Sequence, residues 1–283
     1  MNSKSKLAVI AALCWAPIAW ASPVFSIFEA AAATPAGITA TRDAFRTAIG
    51  GGNVAGGNGS FGGVRREINW DGVPNGFADP AQLPANFFNV NSPRGAVFST
   101  PGTGFMVSAN AGAASPVLFG FANDFQTFSA QRLFTAVNSN ITDVSFFVPG
   151  TSQLATTSAF GLIFTDVEVA GDTRLDFFDE SNALIFSRDA LVSGNHGLAF
   201  LGATISGGAI GRVRITSGRN TISSNGVLGN PNDDVVVMDD FIYAEPLRSV
   251  PEPASLALAG LALLGGLTAW RRGAKSLKVA QPA

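Results

Sequence analysis

The chain has 283 residues, room for one large or two small domains. Between Ser22 and Ser249 there is no lysine, and 12 arginines face 19 aspartates and glutamates, a net charge of −7; an acidic surface of this kind excludes the nucleic-acid backbone as a partner. A single cysteine (Cys14) and a single histidine (His196) exclude disulfide frameworks, thiolate clusters and multi-histidine metal centres.

Met1 to Ala21 reads as a secretory signal. Lys4 and Lys6 supply the positive start, Leu7 to Ala19 the apolar core, and Ala19-Trp20-Ala21 the small-residue cleavage site. Cys14 lies inside this segment and leaves with it, and the apolar run is too short for a bilayer span. Ala31-Ala32-Ala33 offers a second cleavage site. Next, Thr39 to Ile49 sets Ile38, Phe45 and Ile49 at helical spacing and runs into Gly50-Gly51-Gly52, which predicts a short helix with a glycine stop. Gly50 to Gly63 contains the letters Gly57-x-Gly59-x-x-Gly62, but no strand precedes them and no helix follows, so the stretch reads as a turn-rich loop. Arg65 and Arg66 are expected at the surface or paired with nearby acids. The proline-punctuated segment Ile68 to Gly95 is expected to wrap the domain as irregular structure.

From Gly95 onward, β-branched and aromatic runs alternate with turn residues about every ten positions. "AVFST", "GFMVSA", "VLFGF", "RLFTAV", "TDVSFFV", "FGLIFTDVEV", "TRLDFF", "ALIFSR", "GLAFLG", "IGRVRITS" and "DVVVMDDFIY" give about eleven candidate strands. No helical pattern intervenes, which predicts an all-β ectodomain over 22–249, a β-sandwich or jelly roll with a short N-terminal helix.

Four groups of residues invite a chemical reading. In "VVVMDDFIY", strand alternation puts Val235, Val237, Phe241 and Tyr243 on one face and Val236, Met238 and Ile242 on the other, so one of Asp239 and Asp240 points inward. An isolated buried carboxylate is costly. A structural calcium held by Asp233, Asp239, Asp240 and a loop carbonyl would satisfy it, as would an arginine such as Arg212 or Arg214, or a wet, frayed strand end. Asp166 and Glu168 lie two apart in "FTDVEV", about 7 Å along a strand; they read either as a glycosidase acid and base or as exposed acids on a half-buried edge. His196 sits in a Gly/Asn turn without a nucleophile elbow and reads as a solvated loop residue. Asn69, Trp70 and Asp71 are the glycan-binding candidates, Trp70 being alternatively a core side chain.

The C-terminal segment, 250–283, opens with Val250-Pro251-Glu252-Pro253 and continues with an uncharged run, Ala254 to Trp270, before Arg271 and Arg272. Seventeen residues of helix reach about 25 Å, the short end of a transmembrane span. The prolines stop the helix from extending backwards, and the flanking arginines belong in the cytoplasm. These three features in order resemble the PEP-CTERM sorting signal of Gram-negative bacteria. That resemblance implies an exosortase as partner, anchoring in the inner membrane before cleavage near Pro-Glu-Pro, and delivery to the cell surface or extracellular polysaccharide matrix. Gly273 to Ala283 extends beyond the arginines further than the usual tail. The strand order from "GLIFTDVEVAG" to "VVVMDDFIYAEP" also resembles PEP-CTERM ectodomains that look like galactose-binding or lectin-like jelly rolls. The expected function is therefore a structural or adhesive role at the cell envelope or biofilm matrix, without catalysis. The alternatives are a carbohydrate-binding module and, behind it, a glycoside hydrolase.

Overall fold

The computed structural model describes residues 23–50, 55–62, 65–109, 118–223, 226–228 and 234–248. The leader expected at 1–21, Asp233, and the sorting segment with its apolar span at 254–270 lie outside the described residues. Among the described residues no helix is long and apolar enough to cross a membrane.

Two β-sheets pack face to face. The larger follows the order β1 (Val24–Ala32), β10 (Leu198–Ser206), β7 (Ala159–Thr165), β14 (Val237–Ala244), β5 (Phe134–Val137), β12 (Thr221–Ser223) and β13 (Gly226–Leu228); β2 (Arg65–Ile68) also pairs with β14, and β4 (Gly104–Val107) with β5. The smaller follows β3 (Ala96–Ser99), β6 (Ile141–Phe146), β11 (Arg212–Thr216), β8 (Arg174–Phe178) and β9 (Leu184–Asp189). Among the described residues pairing is antiparallel apart from the β5–β12 contact at Val137 and Ile222. The all-β sandwich expected from the sequence is the architecture observed.

Periodicity explains the layers. In β8 and β11 buried and partly exposed residues alternate, the signature of a sheet wet on one side. Leu175, Phe177, Val213 and Ile215 enter the inter-sheet core, and Arg174, Asp176, Arg212 and Arg214 take the outer face. There Arg214 donates to both oxygens of Asp143, at 3.0 and 2.9 Å, and Arg212 pairs with the same carboxylate. β7 and β14 are buried along their whole length because their second face is covered as well. Helix α1 (Pro35–Ile49) lies over it, with Ile38 and Phe45 packed against Ile163, Phe200 and Ile242. The helix stops as expected at Gly50, whose φ of 77° suits glycine and whose N–H donates to Arg46 O at 3.0 Å.

Phe45 fits because two glycines face each other beneath it. Gly161 of β7 is in register with Gly202 of β10. A Cβ on Gly161 would stand 2.7 Å from the Gly202 Cα and 3.0 Å from the Phe45 ring.

Two local expectations change, and a third is resolved between its alternatives. Of "VLFGF", the described residues Leu118–Gly120 form a one-turn 3-10 helix with Leu118 and Phe119 at positive φ, not a strand. Strand β1, unexpected, pairs with β10 from Val24 to Ala32; Val24 to Phe28 are rich in β-forming residues, while the alanine run after them is a weak strand signal. Of the two readings of Arg66, a surface charge or the partner of an acid, the second is the one observed, with Arg66 fully buried. It pairs with the buried Glu245 (3.3 Å) and donates to the carbonyls of Gly57 and Gly59, and Glu245 accepts the Phe61 N–H at 2.8 Å. The glycine-rich stretch thus folds over a buried ion pair, its small residues letting the backbone carbonyls reach the guanidinium. Arg65 pairs with Glu67 at 2.5 Å.

Candidate functional site

Strand β14 is not regular. Met238 pairs with Phe164, and the next pair is Phe241 with Leu162, three steps on β14 against two on β7. The extra residue is a β-bulge, and it inverts the alternation. Val236, Met238, Phe241 and Tyr243 all enter the inter-sheet core, while Val237 and Ile242 pack on the opposite side, which corrects the face assignment expected from a regular strand. Asp239 and Asp240 occupy the bulge. Asp239 is fully buried, and its Oδ2 accepts the N–H groups of Phe128 (2.5 Å) and Ser129 (3.2 Å). Its Oδ1 accepts the Ser129 hydroxyl at 3.2 Å and the Asp240 N–H at 2.8 Å. Both oxygens are thus engaged by protein donors. Burial, followed by the neighbouring Asp240 charge, holds the Asp239 carboxyl well above the usual carboxylate range; burial raises Asp240 as well. Arg212 and Arg214, the expected arginine partners, are held by Asp143 on the smaller sheet instead.

The glycan-binding candidates do not form a platform. Trp70 is 1% exposed and stacks on Phe134 with centroids 4.1 Å apart, its edge contacts made by Phe88 and Phe241. Its ring is a core side chain, the second of the two readings. Asn69 is exposed, whereas Asp71 accepts the Arg132 N–H at 3.2 Å and is raised by burial. A cavity of about 250 Å³ lies beside them, lined by Asn69, Val73, Phe88 and Arg94 among others.

A third constellation is assembled where β7 ends. The strand stops at Thr165, and Asp166 takes φ 73°, turning the chain out of the sheet; Asp166 and Glu168 therefore do not share a strand face, contrary to expectation. The Asp166 N–H donates to Gly197 O, and Asp166 Oδ1 accepts the His196 N–H, both at 2.8 Å. Asp234, in the lead-in to β14, clasps the same turn: its Oδ2 accepts the N–H groups of Glu168 (3.2 Å) and Val169 (3.1 Å). Its carbonyl meanwhile accepts the N–H groups of Arg219 and Asn220, at 3.0 and 2.9 Å. One carboxylate oxygen from each of Asp166, Glu168 and Asp234 lies within 4.8 Å of the others. Asp166 and Asp234 are buried and Glu168 is exposed. Burial is the chief reason the Asp166 carboxyl rises to about 7, helped by the charges of Glu168, Asp234 and Asp124; Asp234 rises for the same first reason. Three carboxylates crowded on one point differ from a glycosidase pair, in which two flank a scissile bond. His196 contributes to this site through its backbone N–H.

Sequence reasoning had singled out Asp166 and Glu168 for other chemistry and missed Asp234. The adjacent Asp233-Asp234 pair was a visible signal. That Asp234 turns inward and meets a turn 66 residues away depends on the pairing of β14 with β7.

The PEP-CTERM protein-sorting motif matches the chain at residues 249–272, on the segment where Pro251-Glu252-Pro253, the apolar run and the arginines stand. The chain thus carries this sorting motif behind its β-sandwich, and the motif implies an exported protein whose precursor is membrane-anchored and processed by an exosortase. No curated protein and no solved structure matches the chain.

Proposed function

We propose that the chain is a structural or adhesive protein of the cell surface or biofilm matrix, delivered there by exosortase processing and acting without catalysis. The observation that carries this reading is the position of the sorting motif. β14 is the last strand among the described residues, Leu247 still bridges to Thr156, and the motif begins at residue 249. Every described strand of the sandwich precedes the sorting segment, so cleavage near Pro251 would release them together. Successive strands also alternate between the sheets, from β6 to β7, β7 to β8, β9 to β10 and β10 to β11, which supports a jelly-roll description akin to lectin-like modules.

The test is genetic. Deleting the exosortase gene in the native host should leave the protein in the inner-membrane fraction at its uncleaved C-terminal length. Unchanged surface delivery in the deletion strain would defeat the reading.

A further inference from the structure

We propose that Asp166, Glu168 and Asp234 form a calcium site that ties the turn after β7 to the lead-in of β14. A group of acids alone would not carry this; the decisive feature is Asp234. It is 1% exposed, and its Oδ2 is fixed by two backbone N–H groups. Its Oδ1 is buried and has no hydrogen-bond partner among the described residues. A buried acceptor with nothing to accept is expensive, more so on a charged group. This carboxylate belongs to the group whose oxygens converge within 4.8 Å.

The local charge balance points the same way. Among the described residues none of the three carboxylates has an ion pair, whereas the neighbouring Asp172 is held by Arg219 at 2.5 Å. The fold neutralises the adjacent acid and leaves these three facing one another. A cation between them removes the mutual repulsion and supplies the partner that Asp234 Oδ1 lacks.

Ligand chemistry selects the ion. All three side chains offer carboxylate oxygen, which suits a hard cation. Their oxygens lie within 4.8 Å of one another, inside the reach of one ion that binds oxygen at about 2.3–2.6 Å. Magnesium demands near-ideal octahedral geometry and dehydrates reluctantly, whereas calcium accepts about six to eight oxygens in flexible arrangements. Asp166 and Asp234 are held by loop backbone N–H groups, an irregular donor set that suits calcium. The site also joins distant parts of the chain, because Asp166 holds the His196 turn and Asp234 precedes the last strand.

The test uses the full-length chain purified in detergent and stripped with chelator. Titration calorimetry with calcium chloride and a thermal melt at each calcium concentration are the readouts. Binding near one equivalent per chain is expected, with a calcium-dependent rise in Tm. Asp234→Asn should weaken binding by at least about tenfold. Glu168→Gln, at an exposed position where folding is not at risk, should do the same, and Asp239→Asn should leave it intact. Absence of calcium-dependent heat and Tm change, undiminished binding in both the Glu168 and Asp234 variants, or equally tight binding of magnesium would each overturn the proposal.

Discussion

Asp239→Asn lowers stability by an amount that shrinks as pH rises. Asp239 is fully buried, and burial, then the Asp240 charge, holds its carboxyl well above the usual range. The folded state therefore keeps a proton that the unfolded chain, with a pKa of about 3.9, gives up. Stability from that proton is complete below the unfolded pKa and is lost as pH rises towards the folded one, at up to about 1.4 kcal/mol per pH unit. Asparagine does not titrate, so its variant lacks this slope. It does carry a fixed penalty. Asp239 is engaged on both oxygens, by Phe128 and Ser129 on one and by Asp240 on the other; a protonated carboxyl can still accept on its hydroxyl oxygen, whereas the amide nitrogen of asparagine cannot. Leaving a buried N–H unsatisfied costs about 1–3 kcal/mol. The variant should accordingly be less stable by up to that amount near pH 5, and the gap should narrow as pH rises to about 8. Urea denaturation of the full chain in detergent, followed by circular dichroism with chelator present, measures both curves. A stability difference that stays constant between these pH values would refute the reasoning.

Other substitutions separate buried from exposed electrostatics. Glu245→Ala leaves the fully buried Arg66 without its carboxylate and takes the acceptor from Phe61 N–H; a loss of about 3–5 kcal/mol in urea denaturation is expected, with faster proteolytic cutting at residues 55–62. Arg214→Ala should change stability by no more than about 1 kcal/mol, because the pair is partly solvated and Asp143 keeps Arg212. Gly161→Ala drives a methyl towards the Gly202 backbone and the Phe45 ring, and should lower stability by about 1–3 kcal/mol, seen as a lower Tm.

Much of the sandwich could be read from the sequence because its strands obey simple periodicities. β8 and β11 alternate, and α1 ends where Gly50 allows it to. What escaped was non-local. The alanines that end β1 are strand because β10 offers an edge, and by themselves they say little. In β14 one extra residue inverts the faces, so counting by twos from Val235 to Tyr243 fails at Asp239 and Asp240. The buried carboxylate expected there exists, but loop N–H groups from Phe128 and Ser129 satisfy it, donors that sequence spacing could not place. The acidic convergence of Asp166, Glu168 and Asp234 needs the pairing of β7 with β14 and a left-handed residue at position 166. By contrast the sorting signal is local and ordered along the chain, and residues 249–272 were readable directly.

The most direct test is mass spectrometry of both termini of the protein recovered from the cell surface and medium of the native host. The expected species begins before β1, at about Ser22, and ends close to Pro251, with the arginines of the sorting segment removed. Recovery of the intact chain from the soluble cytosol, with both ends uncut, would contradict it.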